Sequence, residues 1–153
     1  MIFVSRLPEN REQYDYVIVD SVLGGYLATK YLLSLGHTKI AYLGGHWPTS
    51  SNLERLEGYQ RALEEVGIEV RNEYIYCGEF RMENGYREGI KILRAGKYRP
   101  TAVFSANDAM AIGLLEACNE EGVKVPEELS IMGFDDIPLS ASRLIQLTTI
   151  SQS

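Results

Sequence analysis

Four stripes of apolar residues at helical spacing, each closed by a glycine, alternate along this chain with short β-branched or aromatic runs. Leu23, Leu27, Tyr31 and Leu35 recur every four residues and stop at Gly36; Leu53, Leu56, Tyr59, Leu63 and Val66 stop at Gly67. Tyr86, Ile90 and Leu93 stop at Gly96, and Met110, Leu114, Ala117 and Cys118 stop at Gly122. Glycine just past a helix supplies the left-handed cap without a Cβ penalty, so four helices are expected to end at these positions. Between them lie strand candidates at Ile2–Val4, Val17–Val19, Lys39–Leu43, Tyr74–Cys77, Ala102–Ser105 and Ser130–Phe134. These runs are too apolar for half-exposed strands and suit a sheet covered on both faces. Strand–helix repetition at roughly 25–30 residues per unit means parallel βαβ architecture. The expected class is therefore α/β, a Rossmann-like parallel sheet flanked by helices. No linker or low-complexity segment interrupts it, and no sequence repeat is expected beyond the strand–helix rhythm.

Composition narrows the function classes. A chain of 153 residues can bury a real core, about 68–70% of its unfolded surface if compact. A net charge of −6 argues against this segment gripping nucleic-acid phosphates by itself. Cys77 and Cys118 have neither C-x-x-C nor metal-ligand spacing, which reads as two buried, reduced thiols. No apolar run approaches the roughly 18 residues of a membrane helix, so no membrane association is expected. No basic-then-apolar leader opens the sequence.

In an open parallel sheet, ligands meet the carboxyl ends of the strands, so the residues there are the candidates for chemistry. After Lys39–Leu43 comes Gly44-Gly45-His46-Trp47-Pro48-Thr49-Ser50-Ser51, then a helix with Arg55 on it. Ser51 and Glu54 fit a capping box; Ser51 could do no more than cap, and Arg55 no more than pair with Glu54 or solvent. The glycines lack the spacing of a dinucleotide site. After Tyr74–Cys77 comes Phe80, which could stack on a sugar ring or base, or simply on its own loop. After Ala102–Ser105 comes Asn107, either a helix N-cap, a ligand contact, or both. After Ser130–Phe134 comes Asp135, with Asp136 beside it and Pro138 making a turn natural. No histidine or third carboxylate accompanies the two acids, so no metal and no other cofactor is expected. His37, just past Gly36, reads as structural; His46, on the loop beside Trp47, could contact a ligand, though nothing else in the sequence supports it. There is no G-x-S-x-G nucleophile motif. Arg55, Asn107 and Asp135 around one crevice would offer a bidentate donor, an amide and a carboxylate. That set suits a neutral polyhydroxylated ligand and assembles no nucleophile, base and oxyanion hole.

Several segments resemble lactose-repressor-type transcription regulators: Gly24-Gly25-Tyr26-Leu27-Ala28, Leu35-Gly36-His37-Thr38-Lys39-Ile40-Ala41-Tyr42-Leu43-Gly44-Gly45, Arg55-Leu56-Glu57-Gly58-Tyr59, Phe104-Ser105-Ala106-Asn107-Asp108 and Val125-Pro126-Glu127-Glu128-Leu129-Ser130-Ile131-Met132-Gly133-Phe134-Asp135. They stand in family order, with Leu147-Thr148-Thr149-Ile150 downstream. The resemblance implies a periplasmic-binding-protein-like fold of two lobes that close on an effector. It places Arg55, Asn107 and Asp135 on effector-contacting positions, Phe80 on the aromatic pocket position, and Ser51 as a lesser match. It also places Ile112, Leu115, Glu116 and Arg143 at a homodimer interface. Leu23 stands where some sugar-responsive members carry an acidic residue, so that contact is lost or the ligand differs.

The resemblance divides the chain into residues 1–36, the end of the N-terminal lobe; 37–147, a complete C-terminal lobe; and 148–153, the start of the return. It implies a cytoplasmic, dimeric repressor that senses a small sugar-like effector and touches DNA only through a helix-turn-helix that this stretch does not include. Two other readings share parts of the pattern: a periplasmic sugar-binding protein of a transporter, with the same fold, and a small α/β enzyme, which lacks a catalytic constellation here.

Overall fold

The computed structural model describes residues 21–45, 50–79, 81–134 and 148–150. Among them, helices and strands alternate as α1 (Ser21–Ser34), β1 (Ile40–Gly44), α2 (Ser50–Glu65), β2 (Ile75–Cys77), α3 (Met82–Leu93), β3 (Ala102–Ser105), α4 (Asp108–Glu121), β4 (Ser130–Phe134) and β5 (Thr148–Ile150). Each of the four expected strands from Lys39 onward appears within one residue of its expected limits; Ile2–Val4 and Val17–Val19 lie outside the described residues.

The sheet is parallel throughout, in the order β2-β1-β3-β4-β5. The chain winds outward from β1 to β2, then crosses back to β3 on the other side of β1. The winding therefore reverses between β1 and β3. Side chains alternate faces along each strand. Ile40, Tyr42, Ala102, Phe104 and Met132 pack with α1 and α2, through Ala28, Leu32, Leu56, Tyr59 and Leu63. Ala41, Leu43, Val103 and Ile131 pack with α3 and α4, through Ile92, Leu93, Met110, Leu114 and Ala117. Every residue of β1 is buried, which is why its sequence is apolar without alternation.

The helices on each face form a close pair, and glycines make the closeness possible. A Cβ at Gly25 of α1 would collide with the Arg55 carbonyl of α2, and one at Gly58 of α2 with the Val22 carbonyl and Tyr26 amide of α1. On the other face, Gly85 of α3 meets the Met110 carbonyl of α4, and Gly113 of α4 meets the Met82 carbonyl and Tyr86 amide of α3. The offsets match position for position. The outer ends match too: the Tyr26 hydroxyl donates to Glu65 at 2.8 Å, and the Tyr86 hydroxyl to Glu120 at 2.7 Å. In each pair the tyrosine follows the first glycine directly, and the glutamate lies seven residues after the second. The expectation of no repeat beyond the strand–helix rhythm is thus corrected, because a sparse helix-pair repeat carried by glycines leaves no mark on hydropathy.

Of the four glycines expected to end helices, Gly96 does not, because α3 already stops at Leu93 with Arg94 as its cap, and Gly96 opens a short 3-10 turn, Gly96–Tyr98. Gly36, Gly67 and Gly122 end their helices left-handed as expected, with φ of 73° at Gly122. The next amide, Val123, donates back to the Cys118 carbonyl at 2.8 Å, the closure that ends a helix firmly. Most of the expected first unit, residues 1–20, lies outside the described residues. Ala28 and Leu32 of α1 are fully or almost fully buried in the same core as Tyr42 and Phe104, so α1 belongs with the sheet of residues 37–134. Of the stripe Leu23, Leu27, Tyr31 and Leu35, only Leu27 packs against this core; Leu23, Tyr31 and Leu35 are 39%, 39% and 55% exposed.

Candidate functional site

The carboxyl ends of β1 and β3 lie side by side where the winding reverses, the place at which open parallel sheets take their ligands. Two of the expected residues meet there. Arg55, in the second turn of α2, donates from Nη1 to the Ala106 carbonyl at 2.6 Å, and Ala106 leads from β3 directly to Asn107. The Ala106 amide donates in turn to the Leu43 carbonyl of β1 at 2.8 Å. The guanidinium and both strand tips are thereby one hydrogen-bonded unit.

Asn107 is the N-cap of α4. Its backbone is extended, and Oδ1 accepts from the Met110 amide at 2.9 Å, while the Ser105 hydroxyl donates to the Asn107 carbonyl at 2.7 Å. The cap uses only the oxygen of the amide. Among the described residues nothing accepts from Nδ2, and the half-exposed side chain keeps that donor at the rim.

A second asparagine lies at the tip of β1. Asn52 is completely buried; its Oδ1 accepts from the Tyr42 hydroxyl at 2.6 Å and from the Gly45 amide at 2.9 Å. The Tyr42 hydroxyl also lies 3.2 Å from the Asn52 carbonyl. Burial pushes this hydroxyl far above the usual phenol range, against a smaller opposing pull from the positive charge of Arg55. Tyr42 therefore keeps its proton and remains a donor. Gly44 has to be bare, since a Cβ there would strike the Tyr42 ring and Asn52 Oδ1. Cys77 pairs with Gly44 across the sheet. Its thiol is pushed up by burial and then by Glu88, with Asn52 acting in the opposite sense, so it is not an activated nucleophile.

Phe80 and Asp135 lie outside the described residues, as do Arg143 and the side chain of Ser51. Ser51 itself falls inside α2, which begins at Ser50, rather than at the capping position expected for it. Ile112, Leu115 and Glu116 sit together along α4, where with Val123 and Val125 they line a shallow groove of about 650 Å³. His37 lies at the opposite end of the sheet. Its Nδ1 is 2.8 Å from the Thr101 hydroxyl and its Nε2 3.1 Å from that of Ser130, so it ties together the starts of β3 and β4. Among the described residues there is no cluster of three or more metal-ligating side chains, and no helix is long and apolar enough to cross a membrane.

Sequence reasoning missed Asn52 and Gly25. An asparagine two residues into a helix looks like ordinary first-turn composition. The signal lay in its distance from Gly58, which equals the distance from Asn107 to Gly113. Gly25 was visible only as part of a resemblance, yet its contact with the Arg55 carbonyl sets the backbone from which the arginine reaches.

Residues 29–153 match the model of the periplasmic binding protein-like domain. The chain belongs to that family. Its relatives within the family are lactose-repressor-type regulators. The HTH-type transcriptional repressor PurR of Vibrio vulnificus is 44% identical over 140 residues, 92% of this chain and 42% of the repressor. A sugar-binding transcriptional regulator of the LacI family from Escherichia coli, solved with phosphate, superimposes with a TM-score of 0.80 at 33% identity, over 97% of this chain and 52% of that one. The CelR–cellobiose complex gives 0.81 at 30% identity, over 86% of this chain and 40% of that one. This family member therefore spans about half, or less, of the regulators it matches.

Proposed function

We propose that this stretch is the effector-sensing and dimerising part of a cytoplasmic transcription regulator, and that it binds a small sugar-like ligand without turning it over. The observation that carries this reading is the Arg55–Ala106 hydrogen bond, which holds a guanidinium beside Asn107 at the point where the winding reverses. Arg55 and the Nδ2 of Asn107 supply donors to ligand hydroxyl oxygens. Asp135 would accept from the ligand's hydroxyl hydrogens, Phe80 would cover an apolar ring face, and Ser51 would add a hydroxyl. The cellobiose held by one structural relative supports the sugar class. Ile112, Leu115 and Glu116, with Arg143, would form the homodimer face along the groove on α4. In the whole regulator, ligand closure would bias a two-state rearrangement, and DNA contact would fall to segments outside this stretch.

The test is a thermal-shift screen of sugars and purines, followed by calorimetry on the hit. A ligand at 100 times its Kd should stabilise the protein by about 2.7 kcal/mol. Arg55→Ala should then weaken binding roughly ten- to 150-fold, the loss of a charge-assisted hydrogen bond, while Glu57→Ala on the exposed side of the same helix should not. Unchanged affinity in Arg55→Ala would overturn the crevice assignment.

A further inference from the structure

Asn52 stands six residues before Gly58, as Asn107 stands six residues before Gly113. The two asparagines are therefore equivalent in the repeated helix pair, at the tips of the adjacent strands β1 and β3. Their side chains do different things. Asn107 caps its own helix and stays half exposed. Asn52 is fully buried, and its oxygen binds two partners on β1 and the loop after it, the Tyr42 hydroxyl and the Gly45 amide.

We infer that Asn52 is a positioning residue for Arg55: through Tyr42 and Gly45 it locks the first turn of α2 onto the tip of β1, and so fixes the backbone from which the guanidinium reaches the crevice. Three observations converge on this. Arg55 lies three residues after Asn52, one turn further along the same helix. Its carbonyl is pressed by Gly25 of α1, and its Nη1 is seated on Ala106, so two sides of the residue are already fixed. Asn52 supplies the third constraint, at the end of α2 where neither of the others acts. Gly44 is required for the same purpose, since any side chain there would occupy the space of Asn52 Oδ1. Tyr42 suits the role because burial keeps its proton in place. A phenol that remains neutral donates to Asn52 at all ordinary pH, and the lock does not loosen near neutrality.

The inference rests on Arg55 being a ligand contact, but its test needs no ligand, so the two can fail separately. Hydrogen exchange reads the Gly45 amide, and phenylglyoxal modification followed by mass spectrometry reads the accessibility of Arg55. In Asn52→Ala, the Gly45 amide should exchange about tenfold faster, the equivalent of one hydrogen bond of about 1.4 kcal/mol, and Arg55 should react severalfold faster. Tyr42→Phe removes one of the two donors and should fall between parent and Asn52→Ala in both readouts. Leu63→Ala loses core packing on the same helix, without touching the lock, and should leave both rates within about twofold of the parent under conditions where all variants are folded. Faster Gly45 exchange with unchanged Arg55 reactivity would overturn the inference, because the lock would then hold the loop alone. Equal acceleration in Leu63→Ala would also overturn it, because the effect would then be general loosening of α2.

Discussion

The α1–α2 pair and the α3–α4 pair are built on one plan and filled with different chemistry. Both cross at reciprocal glycines with the same offsets, and both are latched on the outside by a tyrosine hydroxyl on a glutamate. On the α3–α4 face the core is largely aliphatic, and the residue three before the crossing glycine is Met110, fully buried. On the α1–α2 face that same place holds Arg55, and in the core beneath the Tyr42 ring lies 5.6 Å from that of Tyr59, tilted, and 5.6 Å from that of Phe104, edge-on. Both hydroxyls there are hydrogen-bonded, Tyr42 to Asn52 and Tyr59 to the Ile40 carbonyl at 2.6 Å. An aliphatic core specifies how much volume it fills. A core of hydrogen-bonded phenols also specifies where particular backbone atoms sit. The face that must hold an arginine at a strand tip is the one that carries that extra specification.

The comparison can be broken most decisively at the crossings. Gly58→Ala and Gly113→Ala each place a methyl group against a backbone carbonyl that has no rotamer to yield, and each should cost about 3 kcal/mol or more, at the upper end of overpacking. Urea unfolding of the two variants measures this, and a large loss in only one of them would show that the crossings are not equivalent.

Alkaline pH separates the two faces by a smaller margin. Burial pushes the Cys118 thiol on the α4 side up to about 11 from 9.0. Below pH 9 it is protonated whether folded or unfolded; between about 9 and 11 only the unfolded chain ionises, so stability should drain away across that window, by about 2–3 kcal/mol. Cys118→Val should remove this part of the decline. Tyr42 and Tyr59 are likewise held protonated by burial, so what they contribute is lost only as pH rises above about 10, the ordinary phenol value. Thermal unfolding from pH 8 to 11 would test this; an equally large loss between about pH 9 and 10 in the parent and Cys118→Val would contradict it.

The smallest effect belongs to His37, at the end of the sheet that the two faces share. Burial lowers its pKa, so its contribution to stability is complete above about pH 6.5 and diminishes as pH falls below that value. His37→Gln, with an amide to bridge Thr101 and Ser130, should flatten the acid side of the stability profile; an unaltered acid slope would show that the histidine is not its source.

Much of this plan was legible beforehand, and what was not has a common cause. Short apolar runs marked β1, β3 and β4, and Gly36, Gly67 and Gly122 marked helix ends, because strand burial and left-handed caps depend on residue type. Asn107 could be named because it stands just past β3, and Arg55 because it lies on the helix that follows the loop after β1. The buried side of α1 is that of Gly25, Ala28, Thr29 and Leu32, where small residues let two backbones approach, and an apolar stripe alone does not mark it. Hydropathy finds large apolar residues, and two of those on α1, Leu23 and Tyr31, lie outward. Asn52 was missed for a related reason: a polar side chain buried by three-dimensional closure looks like any surface residue in one dimension.

Because each helix crossing is backbone against backbone, α2 has no neighbouring register available along α1. Sliding by one residue would bring a side chain to where only hydrogen fits, in both helices at once. On the proposed reading, ligand preference is therefore open to change at the rim, where Asn107 is partly exposed. It is closed to change by shifting the helix that carries Arg55. A new specificity would have to be written in side chains around a fixed arginine.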